Sequence, residues 1–169
     1  MIRYLLTLTL PLYLLDQITK WMILANFPSP DEGYRPPISI IPGFFNIVRV
    51  HNTGMAFGRF NNFEYSNVIF GAIAAVALVA IITLWRKGAF FSKISKVAAA
   101  LLMSGILGNV TDRVLHGYVV DFLDFYRGGY HFPSFNVADS CITVAAVFLF
   151  VSAFQKPPET NSESPPAPD

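Results

Sequence analysis

Four stretches of the chain are apolar over about twenty positions each, the length that carries a helix across the hydrocarbon core of a bilayer. They run over residues 4–25, 67–85, 97–115 and 135–154. The second holds no charged residue, and the third stays apolar until Asp112 and Arg113. The pattern predicts a membrane all-α fold of four transmembrane helices. The segment between the first two spans has a different character. Pro28, Pro30, Pro36 and Pro37 break up its first part. The run ISIIPGFFNIVRV that follows is β-branched and aromatic and ends at HNTG, a turn signal. A small extracytoplasmic sheet over residues 38–58 is the expectation.

Composition sharpens this picture. Of 169 residues, 53% are hydrophobic and only 14% charged, with a mean hydropathy of +0.47. Soluble domains carry roughly 25% charged residues. A net charge of +1 gives no basic field for nucleic acid. The single cysteine, Cys141, excludes an internal disulfide and a cysteine-based zinc site. His51, His116 and His131 show no close ligand spacing, so no histidine metal site is expected. Arg3 and the leucines after it resemble a signal peptide. Asp16 and Lys20 interrupt that run, and no small-x-small cleavage site follows, so the segment is read as a retained span.

The loop RKGAFFSKISK between spans two and three carries Arg86, Lys87, Lys93 and Lys96, which predicts that it is cytoplasmic. Both termini then lie on the cytoplasmic side, and residues 26–66 and 116–134 on the other. Residues 1–155 read as a single integral-membrane domain. Residues 156–169, rich in Pro, Ser and Glu, read as a disordered cytoplasmic tail.

Carboxylates within or beside apolar spans carry the chemistry. Such groups are costly unless paired or functional. Asp121 lies in VVDF beyond the third span, and Asp139 in FNVADS near the outer start of the fourth. Two acids able to meet there suggest a shared-proton pair, capable of acid and base work. Asn109, Asp112 and Arg113 share one face of span three at i, i+3 and i+4, as Asn136 and Asp139 do on span four. All of these gather at one depth on the outer face. Asp16 and Lys20 are spaced to pair on span one, and Asp112 with Arg113 reads as a structural charge pair. Asn52, Asn109 and Asn136 read as hydrogen-bonding braces. Asp124 rivals Asp121: on a strand the two point to opposite faces, and the residues alone leave open which meets Asp139. Cys141 reads as a buried small hydrophobe. A Ser–Lys dyad of Lys20 with Ser104 or Ser140 is disfavoured because Asp16 would neutralise Lys20. Ser104-x-x-x-Gly108 marks close helix packing.

The motifs LDQITK (15–20), HNTGMAF (51–57), GNVTDR (108–113), VVDF (119–122) and FNVADS (135–140) occur in the order and spacing of the lipoprotein signal peptidases. These are the type II signal peptidases, aspartyl enzymes of the bacterial inner membrane. The chain resembles that family over nearly all of residues 1–154. The resemblance implies a catalytic pair at Asp121 and Asp139, supported by Asp16, Lys20, Asn52, Gly54, Asn109, Arg113 and Asn136, without metal or cofactor. It implies four transmembrane helices with a small extracytoplasmic β-cradle. It also implies a diacylglyceryl-modified prolipoprotein as substrate, cut just before the lipidated cysteine. Met55 departs from the family's usual alanine, and Thr111 fills a variable slot. Membrane lipid is the expected surrounding and a monomer the expected state. A small proton or ion relay, a scaffold, and another aspartyl intramembrane protease are the competing readings.

Overall fold

The computed structural model describes residues 1–30, 33, 35–54 and 66–156. Met55, residues 55–58 of the expected outer sheet, and residues 157–169 of the expected tail lie outside the described residues. The first helical segment opens with α1 (Ile2–Tyr4), passes through a π-helical turn (Leu5–Thr9) and continues as α2 (Leu10–Asn26). Two strands follow, β1 (Ile38–Ile41) and β2 (Phe45–Asn52). Next come α3 (Ser66–Arg86) and α4 (Lys93–His116). Strands β3 (Val119–Arg127) and β4 (Tyr130–His131) lead to α5 (Val137–Ser152).

Among the described residues two helices, within α3 and α4, are long and apolar enough to cross a membrane by length and composition. The fourth predicted span is shorter than expected. The pattern predicted 135–154, whereas α5 has 16 residues, about 24 Å at 1.5 Å per residue. Asn136 caps its start and Ala153 its end, so the apolar run overshoots the helix on both sides.

Helix α4 is the hub. Ser92 and Ser95 form a reciprocal capping box at its start, and Gly117, at φ 81°, closes its last turn. Ala98, Ala99 and Ala100 are almost fully buried along it. Gly105 and Gly108 face its neighbours. A Cβ on Gly105 would collide with the Ala138 carbonyl and the Ile142 side chain. A Cβ on Gly108 would sit 2.6 Å from Asp16 Oδ2 and 3.0 Å from Ala138 Cβ. The small residues therefore let α2 and α5 approach the α4 backbone closely. Gly108→Ala is expected to lower stability by about 1–3 kcal/mol, as overpacking does. Its thermal midpoint in detergent should fall, whereas Gly71→Ala, which meets nothing within 4 Å, should leave it close to wild type.

The sheet is larger than its sequence signal. Its four strands are antiparallel in the order β1-β2-β3-β4. Strands β1 and β2 fall within the expected 38–58 segment, but β3 and β4 come from residues 116–134, read from sequence as an outer loop in which VVDFLDF is weighed as a strand without being assigned to the sheet. Val50 pairs with Asp121, and His51 and Asn52 pair with Val120 and Val119. Phe135 straps the chain back onto β3 through hydrogen bonds with Phe122 and Leu123, which delivers Asn136 beside Asp121. Val120 and Phe122 of β3 pack with Ile23 and Phe27 at the end of α2. A second cluster, Ile81, Ala99, Met103 and Ile106, joins α3 to α4. Away from that seam α3 exposes Val68, Ile73, Val76 and Val79, the surface expected of a helix whose solvent is lipid.

Candidate active site

The polar residues of α2, α4, β3 and α5 converge at one end of the helices, under the sheet. Asn136 stands at the centre and is fully buried. As the N-cap of α5 its Oδ1 accepts from the Asp139 amide (2.9 Å), while Asp139 Oδ2 accepts from the Asn136 amide (3.2 Å). This reciprocal box fixes the Asp139 carboxylate at the helix N-terminus, where the backbone dipole favours negative charge. The Nδ2 of Asn136 donates to Asp121 Oδ1 (2.7 Å). One asparagine thus holds both carboxylates.

Each carboxylate has a second amide partner. Asn109 Nδ2 donates to Asp139 Oδ1 (2.8 Å), and Asn52 Nδ2 donates to Asp121 Oδ2 (2.9 Å). Asn52 is itself oriented by the Gly54 amide, which donates to its Oδ1 (3.1 Å). Asp121 is buried, and burial with the nearby charge of Asp139 pushes its carboxyl up to about 7. The hydrogen bonds from Asn52 and Asn136 and the charge of Lys20 oppose that shift. A carboxyl in this range holds or releases a proton near neutral pH, as acid–base chemistry needs.

Beneath the pair lies a buried charge cluster. Lys20 Nζ reaches Asp16 Oδ2 at 2.8 Å, Asp112 Oδ2 at 3.0 Å and Asn109 Oδ1 at 3.2 Å, so all three ammonium hydrogens have acceptors. Each carboxylate also accepts from a backbone amide. Asp16 Oδ1 accepts from the Ala138 amide (2.8 Å), and Asp112 Oδ2 from the Val120 amide (2.9 Å). Ala138 immediately precedes Asp139 and Val120 immediately precedes Asp121, so the cluster pins the main chain beside each carboxylate. Gln17 Nε2 spans both acids, at 3.1 Å from Asp16 Oδ2 and 3.2 Å from Asp112 Oδ1.

Asp16 and Lys20 pair as their spacing suggested. Asp112 does not pair with Arg113: its ion-pair partner is Lys20, and the Arg113 guanidinium instead lies over the Phe70 ring at 4.6 Å and donates to the Asn109 carbonyl at 3.4 Å. The reason is rotational. Consecutive helical residues point about 100° apart, which turns Asp112 into the bundle and Arg113 towards α3. Asp124 lies on the other face of β3, where Asn46 Nδ2 (2.9 Å) and His131 Nδ1 (2.8 Å) hold it. Cys141 is buried, and Lys20 is held between two carboxylates rather than beside a serine. The reading from sequence missed Gln17, a polar residue inside an apolar span and therefore visible. It also missed the links from Asp112 and Asp16 to strand and helix backbone, which leave no local sequence trace.

The fold aligns with solved bacterial membrane enzymes. One, determined by the in meso method at 1.9 Å, matches with a TM-score of 0.76 at 31% identity over 88% of this chain and 90% of its own. Another, at 2.3 Å, matches with a TM-score of 0.71 at 31% identity over 90% of each chain. Fold and site together define a membrane protein with the architecture of an enzyme. The model of the signal peptidase (SPase) II family matches residues 8–155. The lipoprotein signal peptidase of Symbiobacterium thermophilum is 43% identical over 136 residues, covering 80% of this chain and 84% of its own. That of Nitratidesulfovibrio vulgaris is 37% identical over 164 residues, covering 95% and 96%. The chain belongs to the signal peptidase II family.

Proposed function

We propose that this protein is an aspartyl endopeptidase of the bacterial inner membrane. It removes the signal peptide from diacylglyceryl-modified prolipoproteins, cutting just before the lipidated cysteine. The observation that carries the aspartyl assignment is the double engagement of Asn136, which binds Asp121 through its side chain and Asp139 through its capping box.

In this reading one of the two carboxyls is ionised and the other protonated, because like charges so held in a poorly polarisable site do not both ionise easily. The ionised carboxylate takes a proton from water, and the oxygen of that water attacks the scissile carbonyl. The protonated carboxyl donates a hydrogen bond to that carbonyl, and the proton gained by its partner passes to the leaving amine. Asn52, Asn109 and Asn136 hold the pair. Asp16, Lys20 and Asp112 fix the backbone beside it. Arg113 brings a cation to the same end of α4, and Gly54 orients Asn52. The chain crosses the membrane four times with both termini in the cytoplasm, which puts the pair near the outer face. There a signal peptide, inserted with its cleavage site outward, presents the bond. The short α5 is compatible with a span because its polar start lies in the interface. A proton relay is the weaker reading, since ionisable side chains would then be needed through the full thickness, and the buried acids and lysine among the described residues gather at one end, with only Thr9, Ser95 and Ser104 as buried hydroxyls further along the helices.

The test is cleavage of a diacylglyceryl-modified prolipoprotein by the purified protein in detergent, beside the unmodified precursor. Cleavage of the modified form alone is expected; equal cleavage of both would remove the lipid requirement, and cleavage of neither the whole reading. The pH dependence carries its own signature. The active pair holds one proton, and Asp121 is pushed up to about 7. Raising the pH through about 7 strips that proton, so kcat/KM should fall on the alkaline side with an apparent pKa near 7, belonging to the pair. A rate flat from pH 6 to 9 would contradict a shared proton.

A further inference from the structure

The outer end of α3 meets α4 through two specific contacts. Asn67 Nδ2 donates to the Gly117 carbonyl at 2.7 Å, satisfying the residue that closes α4. One turn further on, the Phe70 ring lies 4.6 Å beneath the Arg113 guanidinium. Arg113 is otherwise thinly held. Its bond to the Asn109 carbonyl is long, at 3.4 Å, and its Nε is buried with no hydrogen-bond partner among the described residues. A flexible cation so placed needs a surface to rest on, and an aromatic face in a dry setting supplies one.

We propose that Phe70 is the positioning residue for Arg113. Its ring carries the guanidinium at the height where that charge acts on Asp121 and Asp139. The proposal rests on the peptidase reading for its consequence, although not for the contact itself. The charged groups around Arg113 are Asp112 on its own helix, Asp139 from α5 and Asp121 from β3. Lys20 of α2 acts on both members of the pair, and Asp16 of the same helix acts on Asp139 in the opposite sense. The outer end of α3 contributes Asn67 and Phe70, neither of them charged. A cation near two acids favours their ionised form, so letting it drift should raise the pH at which the pair loses its shared proton.

The experiment compares Phe70→Leu, Phe70→Tyr and Phe70→Trp with wild type and with Val68→Ala, a control on an exposed neighbouring residue. Expected for Phe70→Leu is a kcat about tenfold lower, the scale of a desolvated cation–π contact. KM should change little and the alkaline limb of the pH profile should move upward. Tyr and Trp should restore both. The double variant Phe70→Leu/Arg113→Ala should be no slower than Arg113→Ala alone, because a residue acting through another adds nothing once that other is gone. Wild-type kcat and pH limb in Phe70→Leu, or additive losses in the double variant, would overturn the proposal.

A spectroscopic readout separates this from the peptidase reading. The Arg113 Nε–H proton should show an upfield ring-current shift in wild type, kept in Phe70→Tyr and lost in Phe70→Leu. Absence of that shift in wild type overturns the contact whatever the enzyme cleaves. A clear shift in a protein that cleaves nothing would leave the positioning intact and refute the peptidase reading instead.

Discussion

Asp139→Asn and Asp121→Asn are each expected to cut turnover by about a thousandfold, the middle of the range that a positioned acid or base contributes. Asparagine keeps the size and one acceptor oxygen, so one of the two amide bonds at each position survives while the other donor loses its acceptor and the ability to ionise is lost. Substrate binding should remain within a few-fold, measured as the Kd for an uncleaved lipidated peptide. Unfolding would not explain the loss. The Asp121 carboxyl is raised from 3.8 to about 7 in the folded protein. Folding therefore favours its protonated form, and its contribution to stability declines as the pH rises from about 4 through about 7. At pH 8 the folded state holds an unfavourable buried charge that Asn removes, so Asp121→Asn should melt no lower than wild type. Asp124→Asn supplies the contrast. Its carboxylate is bound by Asn46 and His131 on the opposite face of the strand, and turnover should stay within a few-fold. Wild-type turnover in Asp139→Asn would end the aspartyl mechanism.

What the sequence made legible follows from what is local. Helical spacing brings Asp16 to Lys20, and capping chemistry brings Asn136 to Asp139, because both relations lie within one turn. The i, i+3 spacing put Asn136 and Asp139 on one helical face, and the structure makes Asn136 the N-cap that closes a capping box with Asp139. Apolar length located the helices but not their ends, since Phe135, Val137 and Phe154 are equally apolar while only Val137 lies in α5. Strand β3 was obscured for a related reason. VVDFLDF is buried on both faces, because Val120 and Phe122 pack on α2 while Val119 and Asp121 face the other way under cover. A strand buried on both sides loses the alternation that announces it. Asp112 was assigned to Arg113 because they are adjacent, yet its partners Lys20 and Val120 come from a distant helix and from the following strand. Such contacts exist only once the chain has folded.

Lys20→Met should be the most damaging single change to stability, at about 3–5 kcal/mol, the loss typical when one partner is removed from a buried ion pair. Lys20 and Asp16 are 2% and 1% exposed, so water cannot replace the ammonium. The substitution leaves Asp16 and Asp112 facing one another with only Gln17 and two backbone amides between them. Those amides belong to Ala138 and Val120, so relaxation of the cluster moves the backbone beside both Asp139 and Asp121. Turnover should fall with stability for that reason, although Lys20 is bonded to neither carboxylate of the pair. Thermal unfolding in detergent measures the first effect, and kcat well below the melting temperature the second. The neutral triple variant Asp16→Asn/Lys20→Met/Asp112→Asn separates charge from packing. It removes all three ions together and should recover much of the stability, because the cost of Lys20→Met lies in the stranded carboxylates rather than in the missing amine. If Lys20→Met alone melts with the wild type, Lys20 is not the counter-ion that holds this end of the molecule together. If the triple variant melts as low as the single one, the stranded charges are not the cause.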